Sequence, residues 1–236
     1  MKGVPCLLLF TKPARAGRVK TRLVGPELSP ERAAALHEAF LGDLCERLTD
    51  APGFELRLAW ALDDGEPMPR SRVSGVAQRG EDLGARLFGA LRDAVAEHSL
   101  VGAVGSDHPE MSVARVEEAF AALRGGADVA IGPAHDGGYY LIALRREAMA
   151  PRLFAEVPWS TGEVLATTLA RCDELGLSVA LLPPECDVDT PADLVRLAAA
   201  LADGSAPSCP RTSALLESWG LLPPAPAPAL AASTAP

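Results

Sequence analysis

Short apolar runs alternate with stretches of helical period along most of the chain. Residues 4–10 are nearly continuous in apolar side chains, the pattern of a strand buried on both faces. Ser29-Pro30-Glu31 opens a helix to about Leu48, with Ser29 as N-cap and Pro30 in the first turn. Residues 54–61 and 75–78 read as strands. A helix over 82–97 carries Leu83, Leu87, Leu91 and Val95 on one face. A buried strand over 100–105 and a helix over 112–123 follow. Strands over 128–132 and 139–144 flank a Gly-rich turn. Ser160 is expected to cap a further helix, with Glu163 at the capping-box position. A strand over 177–182 precedes a helix that Thr190-Pro191 opens and that ends near Leu201. A short helix over 212–220 is expected before an end rich in Pro and Ala.

Strand and helix in this alternation predict an α/β fold: one mostly parallel central sheet, helices on both faces, and a small antiparallel insertion around Gly137-Gly138. The domain is expected over 1–203, with 204–236 a largely flexible C-terminal extension. In open α/β sheets ligands bind beyond the carboxyl ends of the strands. Residues just after each strand therefore carry the chemistry.

Composition narrows the partners. With 236 residues and 48% hydrophobic content, the chain is long enough for a substantial core. Its formal net charge of −9 argues against a nucleic-acid partner, which wants a broad basic face. Five cysteines without a CxxC pair disfavour both a disulfide framework and a zinc site and fit a reducing compartment. No segment reaches the length of a membrane span, and residues 6–10 are too short for a secretory core, so a cytoplasmic location is expected.

Against this acidic background, Lys12, Arg15, Arg18, Lys20 and Arg22 lie in one loop after the first strand, with Gly17 allowing tight backbone. Cations so placed suit phosphate oxygens; neither a GxxxxGK[ST] nor a GxGxxG motif is present. Asp107 in Gly105-Ser106-Asp107-His108-Pro109 directly follows a buried strand, where a carboxylate either holds Mg²⁺ or Mn²⁺ against a diphosphate or caps a turn. In Asp187-Val188-Asp189-Thr190-Pro191-Ala192-Asp193, capping explains Thr190, Pro191 and Asp193 but not the two earlier acids, which makes Asp189 the second metal ligand. His135-Asp136-Gly137-Gly138-Tyr139 is a hairpin signal whose second glycine also lets a substrate approach the backbone. Gln78, Gly80, Asp82 and Gly84 could receive a nucleobase, with Asp82 equally suited to capping. Trp159, beside Ser160 and Thr161, could wall an acceptor pocket or pack at the start of a helix. His37 and His98 fall on helix patterns and are expected at the surface.

Taken in order, these motifs resemble the bacterial radical-SAM/selenodomain-associated transferases, glycosyltransferase-A-like proteins of the nucleotide-diphospho-sugar transferase superfamily; the resemblance spans about residues 4–201. More distantly the chain is similar to phospholactate guanylyltransferases and molybdenum-cofactor nucleotidyltransferases. It departs from both: the Gly-x-Gly-Thr-Arg opening is absent, and Asp107-His108-Pro109 stands where glycosyltransferases carry Asp-x-Asp. The resemblance implies a single Rossmann-like GT-A-type domain and a transferase using a nucleotide-activated donor with Mg²⁺ or Mn²⁺. Glycosyl transfer from a nucleotide sugar to a small-molecule acceptor is the first expectation. Nucleotidyl transfer from an NTP with release of pyrophosphate is the second, and a non-catalytic nucleotide-binding module the third. A homodimer is compatible with any of them. On this reading Lys12, Arg15, Lys20, Arg22, Gln78, Gly80, Asp82 and Gly84 bind nucleotide. Asp107 and Asp189 hold metal; Asp107, Lys20 and Asp136 act in catalysis. His135, Asp136, Gly137, Gly138, Tyr139, Trp159, Ser160 and Thr161 face the acceptor.

Overall fold

A computed structural model describes residues 3–223. Seven strands, β1 (Cys6–Thr11), β2 (Glu55–Trp60), β3 (Gly75–Ala77), β4 (Leu100–Gly105), β5 (Val129–Pro133), β6 (Tyr139–Arg145) and β7 (Val179–Leu181), form one sheet in the order β3-β2-β1-β4-β6-β5-β7. The β1–β2, β1–β4, β2–β3 and β5–β7 pairs are parallel. Only β6 runs antiparallel, and it inserts between β4 and β5. The expected mixed α/β architecture is thus the one observed.

Strand alternation divides the core. Leu7 and Leu9 point to one face, where α1 (Pro30–Thr49) and α3 (Val113–Arg124) cover the sheet. Cys6 and Leu8 point to the other, covered by α2 (Leu83–Val95) and α4 (Val164–Glu174). A third cluster lies off the sheet: Leu36 and Phe40 of α1 pack against Leu194 and Leu197 of α5 (Pro191–Asp203) and Leu216 of α6 (Pro210–Ser218). Helix α6, which falls in the segment expected as an extension, therefore closes a core cluster. The Pro/Ala-rich end from 224 lies outside the described residues.

Local caps follow the sequence at four helices. The side chains of Ser29, Asp82, Ser112 and Thr190 accept backbone N–H bonds, and Thr190 forms a capping box with Asp193. The expectation at Ser160 is corrected. α4 starts at Val164 after Glu163, and Ser160 adopts φ 65. The chain is held back there by the 136–138 turn, which takes Leu165 N–H on Gly137 O at 2.9 Å. A Cβ at Gly137 would lie 2.2 Å from Gly162 O, so this crossing needs glycine. No helix among the described residues is long and apolar enough to cross a membrane.

Candidate active site

The turn after β4 carries Asp107 and is held from several directions. Ser106 N–H bonds Phe10 O at the end of β1 (3.0 Å), and Val188 N–H bonds Asp107 O (2.9 Å). The Arg47 guanidinium, reaching from α1, donates to Pro109 O (2.7 Å) and Met111 O (2.9 Å). His108 is buried and stacks on Tyr140; its Nδ1 meets Cys186 O (2.8 Å) and its Nε2 meets Glu185 (2.6 Å). Arg115 grips the same Glu185 at 2.8 Å. Desolvation pushes the Glu185 carboxyl up, but the hydrogen bonds from His108 and Arg115 outweigh it and hold it below its ordinary range. These contacts fasten the 185–189 segment, which delivers Asp189 ahead of α5, to the Asp107 turn.

Lys20 joins the two carboxylates. Its Nζ lies 2.6 Å from Asp107 Oδ1, 2.6 Å from Val188 O and 3.5 Å from Asp189 Oδ1, with its side chain 2% exposed. The backbone adopts φ 48, a left-handed conformation that costs a non-glycine residue about 1–3 kcal/mol. Desolvation in the cleft pushes the Asp107 carboxyl up. The Lys20 ammonium, with smaller contributions from His37 and Lys12, reverses this and holds it below the usual aspartate range. Asp187 goes the other way: burial first, then repulsion from Asp107 and Asp189, push it up to about 6.

Asp107, Asp189 and Arg22 open onto a cleft of about 520 Å³ at the carboxyl ends of β1 and β4. Asp136, Gly138, Tyr139, Trp159, Ser160 and Thr161 line the same cleft. Its apolar lining includes Phe10, Leu83, Leu87 and Ile142. Trp159 meets Tyr139 edge-on at 6.2 Å between ring centroids. Asp136 Oδ1 accepts from Gly138 N–H at 2.9 Å, and Oδ2 meets no donor among the described residues.

The structure thus gathers Lys20, Arg22, Asp107, Asp189 and most of the expected acceptor residues. It leaves others outside. Arg15 is ion-paired with Asp63 (2.9 Å) and Glu66, and Lys12 is exposed beside the cleft. Gln78 spends its amide N–H groups on Thr11 O (3.2 Å) and Ala59 O (2.8 Å), sealing strand ends. Gly80 has φ 142, and Asp82 caps α2. Gly84 makes room for Trp159, whose Nε1 would lie 2.6 Å from a Cβ there. His135 is exposed and Gly137 serves the chain crossing. His37 and His98, expected at the surface, are 2% and 7% exposed. His37 packs under the basic loop, with Nε2 bonded to Lys12 O (3.0 Å) and Nδ1 3.9 Å from Asp107 Oδ1. His98 is held by Val4 O at 2.7 Å. His37 does lie on α1 and is covered by the basic loop, whereas His98 falls after α2 ends at Val95, in the loop before β4, where the chain near Val4 covers it.

Among the described residues no three His, Cys, Asp or Glu side chains converge as a preformed metal cage. Two aspartates suit an ion that takes its remaining ligands from substrate phosphate and water, as Mg²⁺ does.

Among solved structures, the chain is similar to a protein from Desulfovibrio desulfuricans G20 provisionally described as a nucleotide-diphospho-sugar transferase. The two are 32% identical with a TM-score of 0.81, over 93% of this chain and 96% of that one. A cytidylyltransferase from Leptospira borgpetersenii serovar Hardjo-bovis shares the fold (TM-score 0.55, 11% identity, 93% and 96% covered). So does 4-diphosphocytidyl-2C-methyl-D-erythritol synthase from Anaerococcus prevotii DSM 20548 (TM-score 0.53, 11% identity, 82% and 95% covered). No curated protein matches the chain. Residues 33–161, more than half of the chain, match the family described as uncharacterized proteins conserved in bacteria (DUF2064), and the chain belongs to that family.

Proposed function

We propose that this chain is a metal-dependent transferase acting on a nucleotide-activated donor, with glycosyl transfer from a nucleotide sugar to a small-molecule acceptor as its reaction. The motif order further supports placing it with the radical-SAM/selenodomain-associated transferases. The observation that carries the reading is the convergence of Asp107 and Asp189 on Lys20 at the carboxyl end of β4, open to a cleft that Arg22 also lines. The D. desulfuricans protein, alike over nearly its whole length, carries the same class in its description.

Asp107 and Asp189 would hold Mg²⁺ or Mn²⁺, which supplies Lewis-acid neutralisation of the diphosphate. Arg22 at the cleft and Lys20 beside the two aspartates supply positive charge for the leaving phosphate. Tyr139 and Trp159 wall the acceptor. Asp136, which lines the cleft, would orient the acceptor hydroxyl and receive its proton.

A thermal-shift screen of nucleotides and nucleotide sugars, with and without Mn²⁺, tests the reading, since a selective ligand raises apparent stability by mass action. A metal-dependent shift is expected with a nucleotide sugar, followed by release of nucleoside diphosphate when an acceptor is present. Release of pyrophosphate from an NTP would instead mark a nucleotidyltransferase, and metal-dependent binding without turnover a binding module. Asp107→Asn should remove turnover and weaken metal-dependent binding; retention of both would overturn the site assignment.

A further inference from the structure

We propose that Lys20 is a placeholder cation: in the free protein its ammonium occupies the Asp107–Asp189 pair, and a divalent ion enters only as a phosphate-bearing ligand draws that ammonium away. This inference rests on the metal-dependent reading above and adds a linkage between the two ligands.

The geometry is specific. An ammonium has three N–H donors. Those of Lys20 face three acceptors: Asp107 Oδ1 at 2.6 Å, Val188 O at 2.6 Å and Asp189 Oδ1 at 3.5 Å. Its side chain is sequestered while those of Asp107 and Asp189 are 49% and 39% exposed, so the carboxylates face the cleft and the lysine reaches them from behind. The Phe40 ring lies 5.5 Å from Nζ and supports it from below. The left-handed backbone at Lys20 shows that the surrounding loop holds the residue against its intrinsic preference. Lys20 contacts one oxygen of each carboxylate, so an ion bridging Asp107 and Asp189 would lie next to that ammonium, a like charge, for as long as it stays in place. Phosphate oxygens offer the ammonium acceptors of the same kind. Arg22, whose Nη1 lies 3.7 Å from Asp189 Oδ2 and whose side chain is 69% exposed, stands at the mouth to receive the same phosphate. Metal and nucleotide phosphate should therefore promote each other's binding, and the coupling is reciprocal.

The test counts free Mn²⁺ by electron paramagnetic resonance during titration of the full chain, alone or with CDP or UDP. The protein-free metal–nucleotide complex is subtracted. For the wild type, Mn²⁺ alone should bind weakly and one of these nucleotides should tighten it by about 5–150-fold, the usual span of site-to-site coupling. In Lys20→Met and Lys20→Gln, Mn²⁺ alone should bind tighter than in the wild type, and the nucleotide enhancement should collapse. If neither variant folds by circular dichroism, wild-type Mn²⁺ binding that ignores both nucleotides still overturns the placeholder role. Mn²⁺ binding that is indifferent to both nucleotides, or that is unchanged or weaker in the lysine variants, overturns the placeholder role and leaves the metal-dependent reading standing. Absence of Mn²⁺ binding in every protein, with and without nucleotide, removes that reading and this inference with it.

Discussion

Asp43 offers the sharpest test of how the site is braced. Helix α6 has no side-chain cap of its own at Cys209. Asp43, buried on α1, supplies one from another helix, accepting from Arg211 N (2.9 Å), Thr212 N (2.9 Å) and Thr212 Oγ1 (2.6 Å). A hydrogen bond to a charged group contributes about 1.5–3 kcal/mol, and an orphaned buried donor costs about 1–3 kcal/mol. Bonds that share one carboxylate are coupled and do not add, so Asp43→Ala should cost about 3–4 kcal/mol. For a chain of this size that is a Tm drop of about 6–16 °C. Thr212→Val, which removes one of the three bonds and keeps the shape, should cost about 1.5 kcal/mol, the low end for a bond to a charged group. Urea unfolding followed by circular dichroism measures both. The effect should reach the site, because Arg47 bonds Ser208 O (2.6 Å) and Cys209 Sγ (3.0 Å) with the same guanidinium that holds Pro109 O and Met111 O. Amide exchange across residues 106–111 should accelerate in Asp43→Ala. A loss below about 1 kcal/mol, or equal losses for the two variants, would refute the capping argument.

Glu185→Gln should cost about 2 kcal/mol at pH 7, since it strips the charge from the His108 and Arg115 contacts of a mostly buried carboxylate. The folded-state value is depressed, so the stabilisation is present above the unfolded glutamate value and fades as pH falls through the folded one. Denaturation midpoints of wild type and variant should therefore converge in acid, and a constant gap would contradict the assignment. Gly84→Ala should destabilise by about 1–3 kcal/mol although alanine favours helix, because the new Cβ would lie 2.4 Å from Phe154 O and 2.6 Å from Trp159 Nε1; thermal melts decide the sign. Burial pushes the Cys45 and Cys172 thiols up to about 11 and Cys6 up to about 12. At pH 8 these three should react with a thiol-specific disulfide reagent roughly a hundredfold or more slowly than a free thiol, and mass spectrometry of the labelled chain would expose a fast one among them.

Much of the fold was legible because its signals are local. A continuous apolar run marks a doubly covered strand wherever it occurs, and the strand expected over 100–105 is observed as Leu100–Gly105. Caps at Ser29, Asp82, Ser112 and Thr190 reach only three residues ahead, so sequence determines them. Asp107, Asp189, Lys20 and Arg22 stood out as charges placed just after strands or before helices. Other features depend on partners distant in the chain, and only the tertiary structure decided those. The place of β6 between β4 and β5 is set by chain topology, which no local period encodes. Gln78 looks free to read a base until the ends of β1 and β2 claim its amide. Ser160 has the right chemistry for a cap, but the 136–138 turn pins the backbone and delays the helix to Val164. The cap that Asp43 lends to α6 and the Lys20–Asp189 contact each join residues 169 positions apart, where the strength of the contact is set by burial and by the partners the fold brings within reach.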